Sequence, residues 1–136
     1  MYNNKTMYNY DLLLKKAKEV SNNSYSPYSK FAVGACVQFE SGKIYTGCNV
    51  ENGSYGLSLC AERNAISTAI ADGEKTGIVA IAIYSPNTEM CSPCGACRQW
   101  IYELKSENGA KIILADKNMQ PKIFDIDEML PLGFSL

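Results

Sequence analysis

Ser58-Leu59-Cys60-Ala61-Glu62-Arg63 and Ser92-Pro93-Cys94-Gly95-Ala96-Cys97 stand on either side of a nearly continuous apolar run, Ile78 to Ser85. Each flank reads as the start of a helix. Ser58 is placed to cap one running from Leu59 to about Ala71, stopped at Asp72-Gly73. Ser92 is placed to cap another, with Pro93 at its first position, where a missing N–H costs nothing. That second helix continues to about Lys105 and ends before Asn108-Gly109. The run between them has the unbroken apolarity of a strand covered on both faces.

Working outward, Leu13, Ala17 and Val20 follow i, i+4, i+7 spacing among lysines and a glutamate, which predicts a helix from about Tyr10 to Ser21. Asn22 to Pro27 breaks it. Phe31 to Phe39 reads as a strand, Ser41-Gly42 as a hairpin turn and Lys43 to Asn49 as the returning strand. Lys111 to Ala115 and Pro121 to Phe124 read as the last strands, before a helical turn at Asp127 to Leu130. The order α-β-β-α-β-α-β-β predicts an α/β domain with helices layered on a central sheet.

At 136 residues the chain is expected to form one domain over 1–136, with residues 1–8 as a loose tail. Thirteen Lys and Arg stand against 14 Asp and Glu, with no basic run, so no nucleic-acid partner is expected and a small, near-neutral substrate is. The polar N-terminus lacks the apolar core of a secretory signal, and the longest apolar stretch is far too short to span a bilayer. A cytoplasmic protein with reduced thiols and no membrane association is the expectation.

Cys60, Cys94 and Cys97 are thiols of zinc-ligand type, and Glu62 is a carboxylate beside the first. A structural zinc site closes with four protein ligands, whereas a catalytic one keeps a position open for water. Three cysteines and a glutamate therefore read as a hydrolytic centre with Glu62 handling protons. There is no histidine, so a zinc ion here must rest on sulfur and carboxylate. Helix N-termini favour thiolates, and Cys94 and Cys97, three apart, share one helix face. In a helix interior Cys60 and Glu62 would point about 200° apart, so a common site must lie off the helix start. Three thiolates leave the site negative, and Arg63, with Arg98 as the weaker candidate, is placed to donate to sulfur. Three other readings remain open: a redox Cys-x-x-Cys, an iron–sulfur run through Cys91, Cys94 and Cys97, and a closed zinc site recruiting Cys36, Cys48 or Cys91.

With these motifs stand Tyr25 to Ala35 (YSPYSKFAVGA), Gly47 to Asn52 (GCNVEN) and Ser92 to Gln99 (SPCGACRQ). Together they resemble the cytidine deaminases of the short, three-cysteine type, over about Tyr10 to Phe134. The resemblance implies a three-layer α-β-α fold on a five-stranded mixed sheet. It implies one Zn²⁺ per chain on Cys60, Cys94 and Cys97, and hydrolytic deamination of cytidine and 2′-deoxycytidine in pyrimidine salvage. Glu62 would protonate ring N3 and then the departing amine, and Phe31 would stack on the base. Asn49 and Glu51 would bind the ribose 3′-hydroxyl, and the Ala61 backbone would meet the base. It further implies a homotetramer in which Tyr55 and Phe134 complete a neighbour's site. A deaminase of modified nucleosides and a non-enzymatic zinc module are the rival readings.

Overall fold

A computed structural model describes residues 9–136, and the expected tail over 1–8 lies outside them. Helix α1 spans Tyr10–Ser21, as the periodicity predicts, and Asn9 caps it by accepting the Leu12 N–H at 3.0 Å. Leu13, Leu14 and Ala17 are buried against the sheet, each leucine contributing about 2 kcal/mol. Val20, expected on the same stripe, is only half-buried.

Strands β1 (Gly34–Phe39) and β2 (Ile44–Cys48) form a hairpin turned at Gly42, whose φ of 90° suits glycine. Helix α2 (Ala61–Ala71) leads to β3 (Ile78–Tyr84), and α3 (Gly95–Leu104) crosses from β3 to β4 (Lys111–Ala115). β5 (Pro121–Asp125) and the short α4 (Ile126–Met129) follow. The five-stranded sheet has the order β2-β1-β3-β4-β5; β3 and β4 run parallel and every other pair is antiparallel.

Alternation along the strands builds the two outer layers. Cys36, Ala80, Ala82 and Ile113 face α1. Val37, Ile81, Ile83, Ile112 and Leu114 face the other way, onto Ala65 and Ile66 of α2 and Ile101 of α3. The smaller set lets α1 lie close: a Cβ on Gly34 would sit 2.0 Å from the Ala17 carbonyl oxygen. The architecture is the α-β-α sandwich the resemblance implies.

Three local expectations fail, each for a hydrogen-bonding reason. The first strand begins at Gly34 rather than Phe31, because the N–H groups of Ala32 and Val33 donate to side-chain amides of Asn87 and Asn49 rather than to a neighbouring strand. Ser58 does not cap α2. Its hydroxyl accepts the Asn52 N–H at 3.0 Å, and Leu59 stays extended, exchanging two 2.9 Å backbone hydrogen bonds with Val50. Ser92 does not cap α3, and Pro93 precedes the helix instead of opening it; its carbonyl accepts from Arg98 Nε at 2.8 Å. The caps are Cys60 and Cys94 themselves.

Candidate active site

Cys60 (φ −75°, ψ 155°) and Cys94 (φ −69°, ψ 169°) have extended backbones, and neither side chain makes a capping hydrogen bond to the backbone of its own helix. Their sulfurs are free to turn toward each other, and Cys60 Sγ lies 3.6 Å from Cys94 Sγ. Cys97, one turn into α3, completes the group, with all three sulfurs within 4.8 Å of one another. Because Cys60 precedes the helix, the unfavourable angle to Glu62 within a helix does not apply. Among the described residues Cys36, Cys48 and Cys91 lie outside this group, so the four-cysteine reading finds no fourth sulfur there.

The N-termini of α2 and α3 both face the sulfurs, where the helix dipole favours negative charge. The Cys60 thiol is pulled down to about 5, first by a hydrogen bond from Cys97 and then by Arg63. Cys97, the donor in that pair, is pushed up. A cation among the sulfurs would bind them as thiolates and release their protons. Arg63 Nη2 donates to Cys60 Sγ at 3.3 Å. Arg98 does not reach sulfur; it bridges the carbonyls of Pro93 and Met129, each at 2.8 Å, and so ties the start of α3 to α4.

Beside the sulfurs opens a cavity of ≈ 270 Å³, lined among others by Phe31, Asn49, Glu51, Ala61, Glu62 and Cys91. Glu62 is 3% exposed, and burial, reinforced by the Cys60 charge, pushes its carboxyl up to about 7. Asn49 is clamped: its Oδ1 accepts the Val33 N–H at 2.9 Å and the Ser24 hydroxyl, and its Nδ2 donates to the Phe31 carbonyl at 2.8 Å. Glu51 Oε1 accepts the N–H groups of Tyr28 and Ser29 at 3.0 and 3.1 Å. The Ser29 hydroxyl, ahead of these N–H groups, holds the Glu51 carboxyl below its ordinary range.

Tyr55 lies on an adjoining cavity with Tyr28 and Glu51, its ring edge-on to Tyr28 at 6.2 Å. Phe134 is not brought to the cavity of its own chain; it is two-thirds exposed, and its carbonyl accepts from Gln99 Nε2 at 3.0 Å. The sequence reading missed Ser24, Asn87 and the Tyr28 and Ser29 N–H groups. Short polar side chains and loop amides leave no periodic trace; the serine-dense stretch from Ser24 to Ser29 was the one available signal.

A family model described as "Cytidine and deoxycytidylate deaminase zinc-binding region" matches residues 7–111. The chain belongs to this family. It is 45% identical over 123 residues to a cytidine deaminase of Sporosarcina psychrophila, covering 90% of this chain and 89% of that protein. It is 37% identical over 124 residues to one from Halalkalibacterium halodurans, covering 91% and 92%. The crystal structure of cytidine deaminase from Burkholderia pseudomallei superposes with a TM-score of 0.82 at 39% identity, over 90% of this chain and 97% of that one.

The donors suit the zinc of this family. A tetrahedral ion with Zn–S near 2.3 Å sets its sulfurs about 3.8 Å apart, close to the 3.6 Å between Cys60 and Cys94. Three cysteine ligands would leave a fourth position for water, the ligand count of a catalytic rather than a structural zinc.

Proposed function

We propose that this protein is a zinc-dependent hydrolase that converts cytidine and 2′-deoxycytidine, with water, to uridine and 2′-deoxyuridine plus ammonia. The observation that carries the reading is the convergence of three thiols from two helix starts on a buried carboxyl, at the edge of a nucleoside-sized cavity. Zinc, when held by Cys60, Cys94 and Cys97, would supply Lewis acidity and a nucleophilic water near neutral pH. In the reaction a C4–O bond forms and the C4–N4 bond breaks.

The chain's own residues orient the substrate and move the protons. Phe31 offers its ring to the face of the pyrimidine, and the Ala61 backbone meets the base edge. Glu51, ionised and fixed through one oxygen, presents the other to the ribose 3′-hydroxyl. The clamped Asn49 has one Nδ2 hydrogen left to donate to the same oxygen. Sugars lacking that hydroxyl leave both groups unpaired and are rejected. Glu62, buried beside Cys60, delivers a proton to N3 and then to the leaving amine. Arg63 offsets the negative charge of the sulfurs.

The assembly proposed is a homotetramer acting in cytoplasmic pyrimidine salvage, with Tyr55 and Phe134 completing a neighbour's site. Supporting it, Val50, Tyr55, Leu57 and Leu59 are exposed apolar residues in the segment that supplies Glu51 and Ser58 to the cavity, and Phe134 is likewise exposed. No helix among the described residues is long and apolar enough to cross a membrane.

The test is the ultraviolet absorbance of cytidine on adding the protein, with and without a zinc chelator. Loss of cytidine absorbance that stops with chelator and returns with added zinc is the expected result. A protein carrying one zinc per chain that leaves cytidine and deoxycytidine unchanged would overturn the reading.

A further inference from the structure

Cys91 takes no part in the chemistry above, yet it occupies a singular place. It lines the substrate cavity, and it also lines a second cavity of ≈ 330 Å³ at the ends of β3 and β4. Among the described residues no other borders both. The second cavity is mixed, with Asn87, Glu89, Asp116 and Lys117 in its walls beside Ile83 and Met119. Cys91 thus stands between a space that fits a nucleoside and one that nothing in the proposed reaction uses.

The partition is held in place. In the segment leading to it, Asn87 Oδ1 accepts the Ala32 N–H at 2.9 Å, tying it to the backbone beside Phe31 on the opposite wall. Glu89 Oε2 accepts the Lys117 N–H at 3.0 Å, and the Met90 N–H donates to the Ala115 carbonyl at 2.8 Å. Met90 itself has a φ of 53°, a conformation a side chain tolerates only when its surroundings fix it. A wall anchored at three points does not swing aside for a larger ligand, so the size of its side chain sets the clearance.

The neighbours of Cys91 indicate which edge of the base the wall faces. Cys91 lines the substrate cavity together with Cys60, Glu62 and Cys94, and it lies three residues before the last of these. In the proposed reaction Glu62 serves N3 and the departing amine, which puts the Cys91 wall at the amine edge of the pyrimidine. We propose, resting on the deaminase reading, that Cys91 is a specificity-determining residue: its side chain closes the substrate cavity at the exocyclic amine, and a smaller residue there opens a path for N4-alkyl groups into the second cavity. The reaction on such a substrate balances as before. Water adds at C4, the C4–N4 bond breaks, the alkylamine leaves carrying the proton from Glu62, and uridine remains.

The experiment measures kcat/KM of the intact zinc enzyme for N4-propylcytidine and for cytidine, and reads their ratio. In Cys91→Ala the ratio rises at least tenfold over the natural protein. In Cys91→Ser, close to cysteine in size, it stays within about threefold, because size rather than thiol chemistry is at work. Cys91→Val narrows the opening and lowers the ratio. As a reading independent of turnover, the inhibition constant of N4-propylcytidine against cytidine falls in the alanine variant and rises in the valine variant. A ratio and inhibition constant that do not move with side-chain size, or a serine variant that behaves like alanine, would overturn the proposal. Failure of the natural protein to deaminate cytidine would instead remove the reading beneath it.

Discussion

Arg63 Nη2 donates to Cys60 Sγ at 3.3 Å from one turn further along the same helix. The cysteine caps the helix and the arginine reaches back over its first turn, so one short segment supplies both a ligand and its counter-charge. Arg98 has the matching position in the other motif and goes elsewhere, to two carbonyls. Charge compensation at the sulfurs is therefore one-sided. Arg63→Gln should weaken zinc binding about 10–100-fold, the usual cost of losing a partner to a metal ligand. Arg98→Gln should leave zinc affinity nearly unchanged while lowering Tm. Chelator competition and thermal melts separate the two; equal losses of zinc in both variants would contradict the assignment.

The six thiols differ in environment, and their reactivity should follow it. Cys36 is fully buried under α1, where burial pushes its thiol up to about 12. The thiolate is the reactive form, so Cys36 should stay silent toward maleimide in the folded protein. Removing zinc should expose Cys60 and Cys94, the half-buried and exposed ligands. Mass-spectrometric mapping with and without chelator reads this directly; Cys36 labelling as fast as Cys94 would contradict it.

Asn49 holds the Phe31 segment, and in the proposed reaction it has a second duty toward the sugar. Asn49→Ala should raise KM and lower kcat together. Ser24→Ala, which removes the hydroxyl donated to Asn49 Oδ1 and its 3.1 Å contact with Ser26 Oγ, should cost about fivefold in kcat/KM, the worth of one hydrogen bond of roughly 1 kcal/mol. Steady-state kinetics on cytidine decide it, and a Ser24 variant with unaltered kcat/KM would show that the clamp is not needed.

Gly47 brings β2 flush against α2: a Cβ there would lie 2.4 Å from Ala65 N and 2.7 Å from Ala61 O. Both contacts are backbone, which cannot rotate away. Gly47→Ala should destabilise the fold by about 1–3 kcal/mol and, by displacing the start of α2, should weaken zinc binding as well. Denaturant melts and zinc content test the pair of effects; a variant as stable as the natural protein would contradict the packing.

Where the chain follows a periodic rule, the sequence was legible. Tyr10–Ser21 and Lys111–Ala115 come out with the bounds that spacing and apolarity assign them. The sulfurs were legible too, because their spacing admits few chemistries. What the sequence hid is local and irregular. The serines at 58 and 92 look like better caps than cysteine, but one is consumed by the Asn52 N–H and the other lies two residues outside its helix. Phe31 to Val33 has the composition of a strand, yet the amides of Asn49 and Asn87 hold the N–H groups of its last two residues and turn the segment into a cavity wall. Such exchanges depend on residues 16 and 55 positions apart in the chain, and no local pattern encodes them.

The central claim is that Glu62 moves the protons of a hydrolysis that takes place at zinc on Cys60, Cys94 and Cys97. Glu62→Gln tests it most directly, since it keeps the shape of the side chain and removes none of the three sulfurs. Single-turnover deamination of cytidine and zinc content should be measured on the same preparation. The account predicts one zinc per chain, retained cytidine binding and a rate lowered by at least about 10²–10⁴-fold, the range for loss of a general acid–base. A zinc-loaded variant that still deaminates cytidine at a rate near that of the natural protein would contradict it.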